Sequence, residues 1–368
     1  MKDPVLDGVL DGAEVVVCCG SGGVGKTTTA AVIGLEAARR GRRAVVVTID
    51  PARRLADALG LPDGLAAAPQ QITLSECGRE GPGELWAMML DTATAFDDVV
   101  RRNAIDDEQA ERILANAFYR NISGALSGTQ EYMAAETLNL LHSDDRFDLV
   151  VVDTPPSRNA LDFLEAPGVL ARFLDHRLFR LLMLPARRGM RVVNAATQPL
   201  LRAIGRVVGS DVLADAVAFF QAFAGMETGF RERADAVIGL LRSDVTRYVV
   251  VASPHRDTVT EAVWFAGKLA EQGIDRVAGV ANRVHPTFGT GTAAQATARA
   301  AAATKDGRDD VAALWTNLAE LRALAAAAAD ELAPLAELLG PLADVPLLAG
   351  DVHDLDGLGE IRTHLFGA

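Results

Sequence analysis

A glycine-rich stretch between two apolar runs places the tightest constraint on how this chain can fold. The stretch GSGGVGKT, at positions 20–27, follows the run EVVVCC at 14–19 and precedes the run TTAAVIGLEAARR at 28–40. It matches the pattern G-x-x-x-x-G-K-[ST], which holds phosphate groups where a strand precedes it and a helix follows it. The first run predicts a buried strand, and the second predicts a helix that ends at Gly41. The sequence therefore predicts a strand, a phosphate-binding loop and a helix in direct succession.

The residue types in this loop indicate how it would hold a phosphate chain. Glycines allow the backbone to wrap around phosphate oxygens with its N–H groups pointing inward, and the helix N-terminus adds positive potential. Lys26 is expected to reach the β- and γ-phosphates, and the Thr27 hydroxyl is expected to bind Mg²⁺. The predicted nucleotide-binding residues are Gly20, Ser21, Gly22, Gly23, Val24, Gly25, Lys26, Thr27 and Thr28.

Short runs rich in valine recur along the chain and predict the fold class. Their apolar residues are continuous rather than alternating, which is typical of strands buried on both faces of a parallel sheet. Helical stretches lie between them, so we expect an α/β fold, that of a P-loop nucleoside triphosphatase with a doubly wound, mainly parallel sheet. The predicted strands are 14–19, 43–50, 85–91, 147–153, 247–253 and 276–282, with 345–350 as a weaker seventh.

Two intervals are too long to be simple connections between strands. Residues from about 92–142 and from about 159–242 carry helical patterns and few turn signals. We therefore expect a single P-loop domain over 1–368, with a helical subdomain formed by these two insertions.

Two features of the second insertion each have two interpretations. Eight arginines and one aspartate lie within 171–206, which indicates either a solvated face or a surface for an acidic or amphipathic partner. A group of phenylalanines near its end indicates either helical packing or a client surface. These are Phe219, Phe220, Phe223 and Phe230.

Composition excludes several classes of function. The 368 residues carry a formal net charge of −13, which argues against a general nucleic-acid binder because the phosphate backbone would be repelled. No run approaches the roughly 20 apolar residues that span a bilayer, and the start MKDPVLDG does not resemble a secretion signal, so we expect a cytoplasmic protein. Of the three cysteines, none lies in a CxxC pair, and Cys18 and Cys19 are expected to be inert core residues.

Two aspartates follow predicted strands at the edge where such sheets bind ligands. Asp153 begins the segment DTPPS, and Asp50 stands 24 residues after Lys26 in TIDPARRL. Asp153 is expected in the magnesium shell together with Thr27, and Asp50 could orient or deprotonate an attacking water. Each aspartate precedes a predicted helix, so a helix N-cap is an alternative interpretation for both.

Taken together, GSGGVGKTTTA, TIDPARRL, DTPPSRNALDFLEAPG and a late ANRVHP segment resemble the ArsA-type ATPases, a family within the deviant-Walker class. The resemblance covers nearly the whole chain and implies ATP and Mg²⁺ as ligands, ATP hydrolysis and a dimer. It implies Asp50 as the water-activating acid of the first switch, which also belongs to the metal site, and Asp153 as the second switch. It also implies that Asn282 contacts adenine, which agrees with the absence of a guanine-selective N-K-x-D sequence at NRVH.

The chain departs from the pattern of this family at several positions. Relatives carry lysine at the position of Ser21, and that lysine reaches the partner's nucleotide across a dimer. A lysine-bearing paralogue could supply the missing charge, Arg53 or Arg54 could replace it, or hydrolysis could be slow. The family's zinc-binding CxxC and its metalloid-binding cysteines are also missing, which argues against an arsenite pump subunit.

Three functional hypotheses remain from the sequence. The leading one is a dimeric ATPase whose nucleotide state reshapes a helical surface that binds a protein or membrane-protein client. The second is a weakly hydrolysing regulatory subunit, completed in a heterodimer by a lysine-bearing paralogous ATPase. The third, a partition-type ATPase on DNA or membrane, is disfavoured by the acidic charge.

Overall fold

The computed structural model describes residues 6–50, 53–74, 83–122, 129–154, 164, 210–222 and 226–367. By its internal contacts the chain divides into two compact units. The first comprises Met1–Met88, Arg146–Ala160 and Asp244–Ala368, and the second comprises Met89–Asp145 and Leu161–Ser243. The sheet belongs to the first unit, and the described part of the second is helical.

One mainly parallel sheet organises the first unit. Its strands are β1 (Val15–Cys19), β2 (Arg43–Thr48), β3 (Gln70–Ile72), β4 (Glu84–Met89), β5 (Leu149–Asp153), β6 (Thr246–Ala252), β7 (Val277–Val284) and β8 (Ala343–Pro346). Their spatial order is β3-β4-β2-β5-β1-β6-β7-β8. Strands β1, β2, β5, β6, β7 and β8 pair in parallel, which confirms the predicted α/β fold class.

The central strands are apolar throughout because both faces of the sheet are covered. Every residue of β1 and of β5 is buried. Val16 and Cys18 belong to the core cluster on one face, while Val15 and Val17 are buried on the other. Successive side chains of a strand point to opposite faces, so an unbroken apolar run is what a doubly covered strand requires.

The register of the central strands brings three strand ends together. Asp153 at the end of β5 lies opposite Cys18 of β1 on one side and Thr48 of β2 on the other. Parallel strands present their carboxyl ends at one edge, so the loops that follow β1, β2 and β5 leave from neighbouring points.

In the described part of the first unit, six α-helices lie between or after these strands. They are α1 (Lys26–Arg39) and α2 (Arg54–Ala58), followed after the second unit by α9 (Arg256–Glu271), α10 (Ala293–Lys305), α11 (Asp309–Leu339) and α12 (Leu355–Phe366). Helix α1 ends as predicted, because Gly41 adopts a φ of 90°, which a side chain would disfavour.

An internal ion pair joins the first and last helices of this unit. Arg362 of α12 donates from Nη1 to Glu36 Oε2 of α1 at 3.2 Å, and both side chains are at least nine-tenths buried. Arg40 donates from Nε to the other oxygen of Glu36 at 2.7 Å. Leu358 and Leu365 of α12 are fully buried in the core that contains α1, so α12 packs over α1.

The described helices of the second unit form a core of their own. They are α3 (Thr92–Asn103), α4 (Asp107–Leu114), α5 (Ala117–Ile122), α6 (Thr129–His142), α7 (Ser210–Ala222) and α8 (Glu227–Leu241). Phe219 stacks on Tyr119 with ring centroids 6.1 Å apart, and Phe230 is 2% exposed. For these two phenylalanines the structure therefore supports the packing interpretation.

At both edges of the sheet, the observed strands differ from those expected from the sequence. Strand β3 was not predicted, because Gln70–Ile72 has three residues and two of them are polar; it pairs antiparallel with β4. Strand β8 begins two residues earlier than expected and ends at Pro346, which cannot donate a ladder hydrogen bond. The rest of the predicted 345–350 strand is a loop.

Some expectations fall on residues outside the described ranges. These are the arginine-rich segment 171–206, Phe223, the side chain of Phe220, and Cys77. That the two insertions form one helical subdomain stays a prediction, because most of residues 159–209 lie outside the described ranges. Within the ranges that are described, no helix combines the length and the apolar composition needed to cross a membrane.

Candidate functional site

The loop from Gly20 to Gly25 has a backbone that depends on glycine. Gly20, Gly23 and Gly25 have φ values of 151°, 77° and 98°. A Cβ on Gly20 would lie 2.2 Å from the Val251 carbonyl oxygen, and one on Gly25 would lie 2.2 Å from Asn282 Nδ2. Helix α1 begins immediately afterwards at Lys26. The predicted succession of strand, loop and helix is therefore present, and the backbone N–H groups of the loop lie at the N-terminus of α1.

Lys26 lies inside this loop and not on its surface. Its side chain is buried, with 7% of the residue exposed, and Nζ donates to the Ser21 carbonyl oxygen at 2.8 Å. Burial lowers the pKa of Lys26, and the nearby Asp153 carboxylate opposes that change. The ammonium group thus lies within the curve of the loop, where an anionic ligand could replace a neutral carbonyl as its partner.

Asp153 is held by two hydroxyl groups, one from the start of α1 and one from the end of β2. Its Oδ2 accepts from Thr27 Oγ1 at 2.7 Å and from Thr48 Oγ1 at 2.8 Å. Its Oδ1 is buried and has no hydrogen-bond partner. Burial raises the pKa of Asp153 to about 6, although the hydroxyl groups of Thr27 and Thr48 and the charge of Lys26 lower it. An unpartnered buried carboxylate oxygen is costly, so it indicates a missing cation or polar ligand.

The donors around Asp153 fit a magnesium ion. Mg²⁺ prefers oxygen ligands, retains several waters and is commonly held by one or two protein groups beside substrate phosphates. Thr27 Oγ1 and Asp153 Oδ1 supply such oxygens next to the phosphate loop.

Asp50 lies two residues beyond β2 and is partly open to solvent. Its backbone N–H donates to Thr48 Oγ1 at 3.2 Å, so the hydroxyl that binds Asp153 also holds this loop. Its side chain is 25% exposed, and Oδ2 lies 3.5 Å from Arg54 Nη1. Both of these side chains border the same cavity as Lys26.

That cavity has a volume of about 580 Å³ and lies wholly within the first unit. One wall is the phosphate loop with the start of α1, including Thr28, and a second is Asp50 with α2. Asn282 and Arg283 of β7 form a third wall. The end of β8, from Val345, and the loop that follows it as far as His353 form a fourth. Its size suits a nucleotide, whose phosphates would lie at the first wall.

Asn282 fastens β7 to the phosphate loop. Its Nδ2 donates to the Val24 carbonyl oxygen at 2.8 Å, and its Oδ1 accepts from the backbone N–H of Arg283 at 2.9 Å. Arg283 has a φ of 61°, and the pairing of β7 with β8 is irregular at this point. The side chain thus borders the cavity, and its amide nitrogen retains one further hydrogen for a ligand.

Ser21 points away from solvent and into the protein. It is 6% exposed, and its Oγ donates to Glu261 Oε2 of α9 at 2.5 Å. Val24 is buried, and Gly22 is exposed. Cys18 and Cys19 are buried free thiols, and burial raises the pKa of Cys19 to about 12, as expected for inert core residues.

A comparison with protein families decides the affiliation of the chain. The model of the anion-transporting ATPases, the ArsA family, matches residues 13–306. The chain belongs to the ArsA family. The matched region includes the phosphate loop, both aspartates and Asn282.

Several curated relatives of this ArsA-family chain are ATPases by name. ATPase GET3 of Malassezia globosa is 31% identical over 176 residues, which cover 47% of this chain and 49% of the relative. ATPase ARSA2 of Chlamydomonas reinhardtii is 28% identical over 48% and 44% of the two chains. ATPase ASNA1 homolog 1 of Paramecium tetraurelia is 27% identical over 47% and 50%. The chain thus spans about half the length of the curated relatives it matches.

Sequence reasoning missed several residues that border or support this ArsA-family site. Thr48 stands in the quoted segment TID, and a hydroxyl beside a strand-end aspartate was a usable signal. Glu261 and the loop after Pro346 are hundreds of residues from the phosphate loop, so no local pattern points to them.

Proposed function

We propose that this chain binds ATP with Mg²⁺ and hydrolyses it to ADP and phosphate. The observation that carries this proposal is the contact between Thr27 and Asp153, which leaves a buried, unpartnered carboxylate oxygen beside the phosphate loop. Family membership and the names of the relatives agree with it.

Each residue has a proposed part in this activity. The backbone N–H groups of residues 20–28 and the Lys26 ammonium would bind the phosphates. Thr27 and Asp153 would hold Mg²⁺, with Asp50 beside them, and the ion would supply positive charge to the phosphate oxygens. The Asp50 carboxylate would orient the attacking water and accept its proton, since it is partly exposed at the rim of the cavity.

The adenine ring would lie against the walls formed by Asn282 and by the segment that follows Pro346. Asn282 borders the cavity and retains a free amide hydrogen, which supports its proposed contact with adenine. Leu347 and Leu348 border the same cavity and offer an apolar surface for the ring.

The wider function that we propose is a dimer whose nucleotide state alters a helical surface for a protein client. Asp153 precedes Leu161, the first residue of the longer segment of the helical unit, by only eight positions. A change at Asp153 on hydrolysis would therefore begin within a short length of chain from that unit.

A second candidate function follows from Ser21. Its hydroxyl is buried against Glu261 and carries no positive charge, so a weakly hydrolysing subunit completed by another ATPase is also consistent with the site.

The deciding experiment is steady-state ATP hydrolysis by the purified chain and by its Lys26→Ala variant, with oligomeric state recorded with and without ATP and Mg²⁺. Lys268→Ala is the matched control, because Lys268 is partly exposed, pairs with Glu271 and does not border the cavity. Turnover that is lost in Lys26→Ala and retained in Lys268→Ala supports the leading proposal. ATP binding with negligible turnover favours the second candidate, and absence of ATP binding rejects both.

A further inference from the structure

We infer that Arg54 is the cation that this chain itself places against the γ-phosphate during hydrolysis. The inference rests on the proposed function and adds a catalytic residue to it. Of the two neighbouring arginines, Arg53 and Arg54, it is Arg54 that we assign to the site.

The two side chains lie in different surroundings. Arg53 donates from Nη2 to the Pro62 carbonyl oxygen at 2.7 Å, packs beside Gly64 and does not border the cavity. Arg54 borders the cavity together with Lys26, Thr27 and Asp50. The structure therefore distinguishes two residues that the sequence leaves equivalent.

Arg54 is also close to the groups that would surround the reacting phosphate. Its Nη1 lies 3.5 Å from Asp50 Oδ2. Burial lowers the pKa of Lys26 most, and the positive charge of Arg54 adds to that decrease. The Arg54 side chain is 60% exposed, so it can turn towards an anionic ligand without breaking a buried contact.

Other positive groups at the cavity are less suitable. Arg283 borders the cavity beside Asn282, whereas Arg54 borders it beside Asp50, the residue proposed to activate the water. Position 21 cannot contribute a charge, because Ser21 is neutral and bound to Glu261. Arg54 is thus the cation on the wall that carries Asp50.

The reaction gives this cation a defined task. The water oxygen forms a bond to the γ-phosphorus while the bond from that phosphorus to the β,γ-bridging oxygen breaks. ADP keeps the electron pair of the broken bond, the water proton passes to Asp50, and the products are ADP and inorganic phosphate. Negative charge is spread over the phosphoryl oxygens during this exchange, and a guanidinium group can bind two of them at once.

The test compares Arg54→Gln, Arg54→Lys and Arg53→Gln in the full chain. Two readouts are needed: kcat and KM for ATP, and the affinities for Mg·ADP alone and for Mg·ADP with aluminium fluoride, which mimics the transferring phosphoryl group. Arg54→Gln is expected to lower kcat at least about 100-fold with less than a threefold change in ADP affinity. It should also remove the gain in affinity that aluminium fluoride gives.

The kcat of Arg54→Lys, and its gain in affinity with aluminium fluoride, should fall between those of the parent chain and of Arg54→Gln. Lysine keeps the charge and loses the planar fork. Arg53→Gln should retain more than a third of kcat and the full effect of aluminium fluoride. Equal losses in the two glutamine variants, or equal weakening of ADP and ADP with aluminium fluoride in Arg54→Gln, would overturn the inference.

The affinity measurement with aluminium fluoride also tests the inference if the chain binds ATP but hydrolyses it too slowly for kcat to be measured. If aluminium fluoride then adds no affinity to the parent chain, Arg54 does not act as inferred. Failure of the parent chain to bind any nucleotide would instead reject the proposed function.

Discussion

The Ser21 hydroxyl donates a hydrogen bond to Glu261 Oε2 at 2.5 Å, joining the phosphate loop to a helix 240 residues later in the chain. The residue that follows the first glycine of the loop thus supports the loop from outside and contributes no charge to a ligand. Ser21 is buried, so water does not compete for this hydrogen bond at the serine.

Removing this contact should lower stability. A hydrogen bond to a charged acceptor contributes about 1.5–3 kcal/mol, so Ser21→Ala is expected to lower the free energy of unfolding by about that amount. Denaturant unfolding of Ser21→Ala, Glu261→Gln and the double variant measures the coupling between the two side chains. Additive effects would show that the two residues do not interact.

Asp153 should give the chain a pH-dependent stability. Its pKa is raised from 3.8 to about 6 by burial, so the folded chain binds more protons than the unfolded chain between these pH values. Its contribution to the free energy of unfolding is therefore full below about pH 4 and is lost as the pH rises through about 6. The loss approaches about 3 kcal/mol on the scale of 1.36 kcal/mol per pKa unit.

Asp153→Asn should remove this dependence. The difference in unfolding free energy between the variant and the parent, measured without Mg²⁺, should grow in favour of the variant from pH 4 to pH 7. Asp244→Asn, at a side chain that is 91% exposed, controls for the exchange itself. A constant difference across this range would contradict the raised pKa.

Two glycines of the phosphate loop offer a matched comparison. A Cβ on Gly23 would meet no atom within 4 Å, whereas one on Gly25 would lie 2.2 Å from Asn282 Nδ2; both residues have positive φ. Gly23→Ala should cost only backbone strain, and Gly25→Ala should also displace Asn282. Calorimetric titration with ATP should show at least about tenfold weaker binding for Gly25→Ala than for Gly23→Ala.

Adding Asn282→Ala to the Gly25→Ala variant provides the internal check. Asn282→Ala alone should weaken ATP binding, because it removes the proposed adenine contact and the bond to Val24. It also removes the amide that the new methyl group meets, so the double variant should lose less ATP affinity than the two single variants lose together. If the two losses in ATP affinity are fully additive, steric displacement of Asn282 is not the cause.

The buried pair between Glu36 and Arg362 should be required for stability. Arg362→Met leaves Glu36 with Arg40 alone, and breaking a buried pair from one side costs about 3–5 kcal/mol. Glu36→Leu together with Arg362→Met should recover much of this loss, because no buried carboxylate then depends on Arg40 alone. Denaturant unfolding checks both, and a single variant that loses less than about 1 kcal/mol would contradict the prediction.

The sequence predicted those parts of the site that depend on local chemistry. Gly25 and Lys26 lie in a pattern typical of a strand, loop and helix, and Asp50 and Asp153 stand after apolar runs whose carboxyl ends share one edge of a parallel sheet. Each of these inferences needs only a short segment and one rule of sheet geometry.

The remaining parts depend on packing between distant segments. No local pattern shows that Glu261 would lie beside Ser21, or that the loop after Pro346 would border the cavity. Arg53 and Arg54 are adjacent and chemically identical. Their roles differ because the Arg53 side chain donates to the Pro62 carbonyl oxygen. Three residues with two glutamines also gave too weak a signal to predict β3.

The fourth wall of the cavity has a practical consequence for the boundaries of expression fragments. The match to the family ends at residue 306, while the segment from Val345 to His353 and the Ile361 side chain also border the cavity. A fragment trimmed to the matched region would keep every motif residue and lose the covering of α1 by α12 together with that wall. Sequence signatures would still identify such a fragment, yet it would be an incomplete receptor for the nucleotide base.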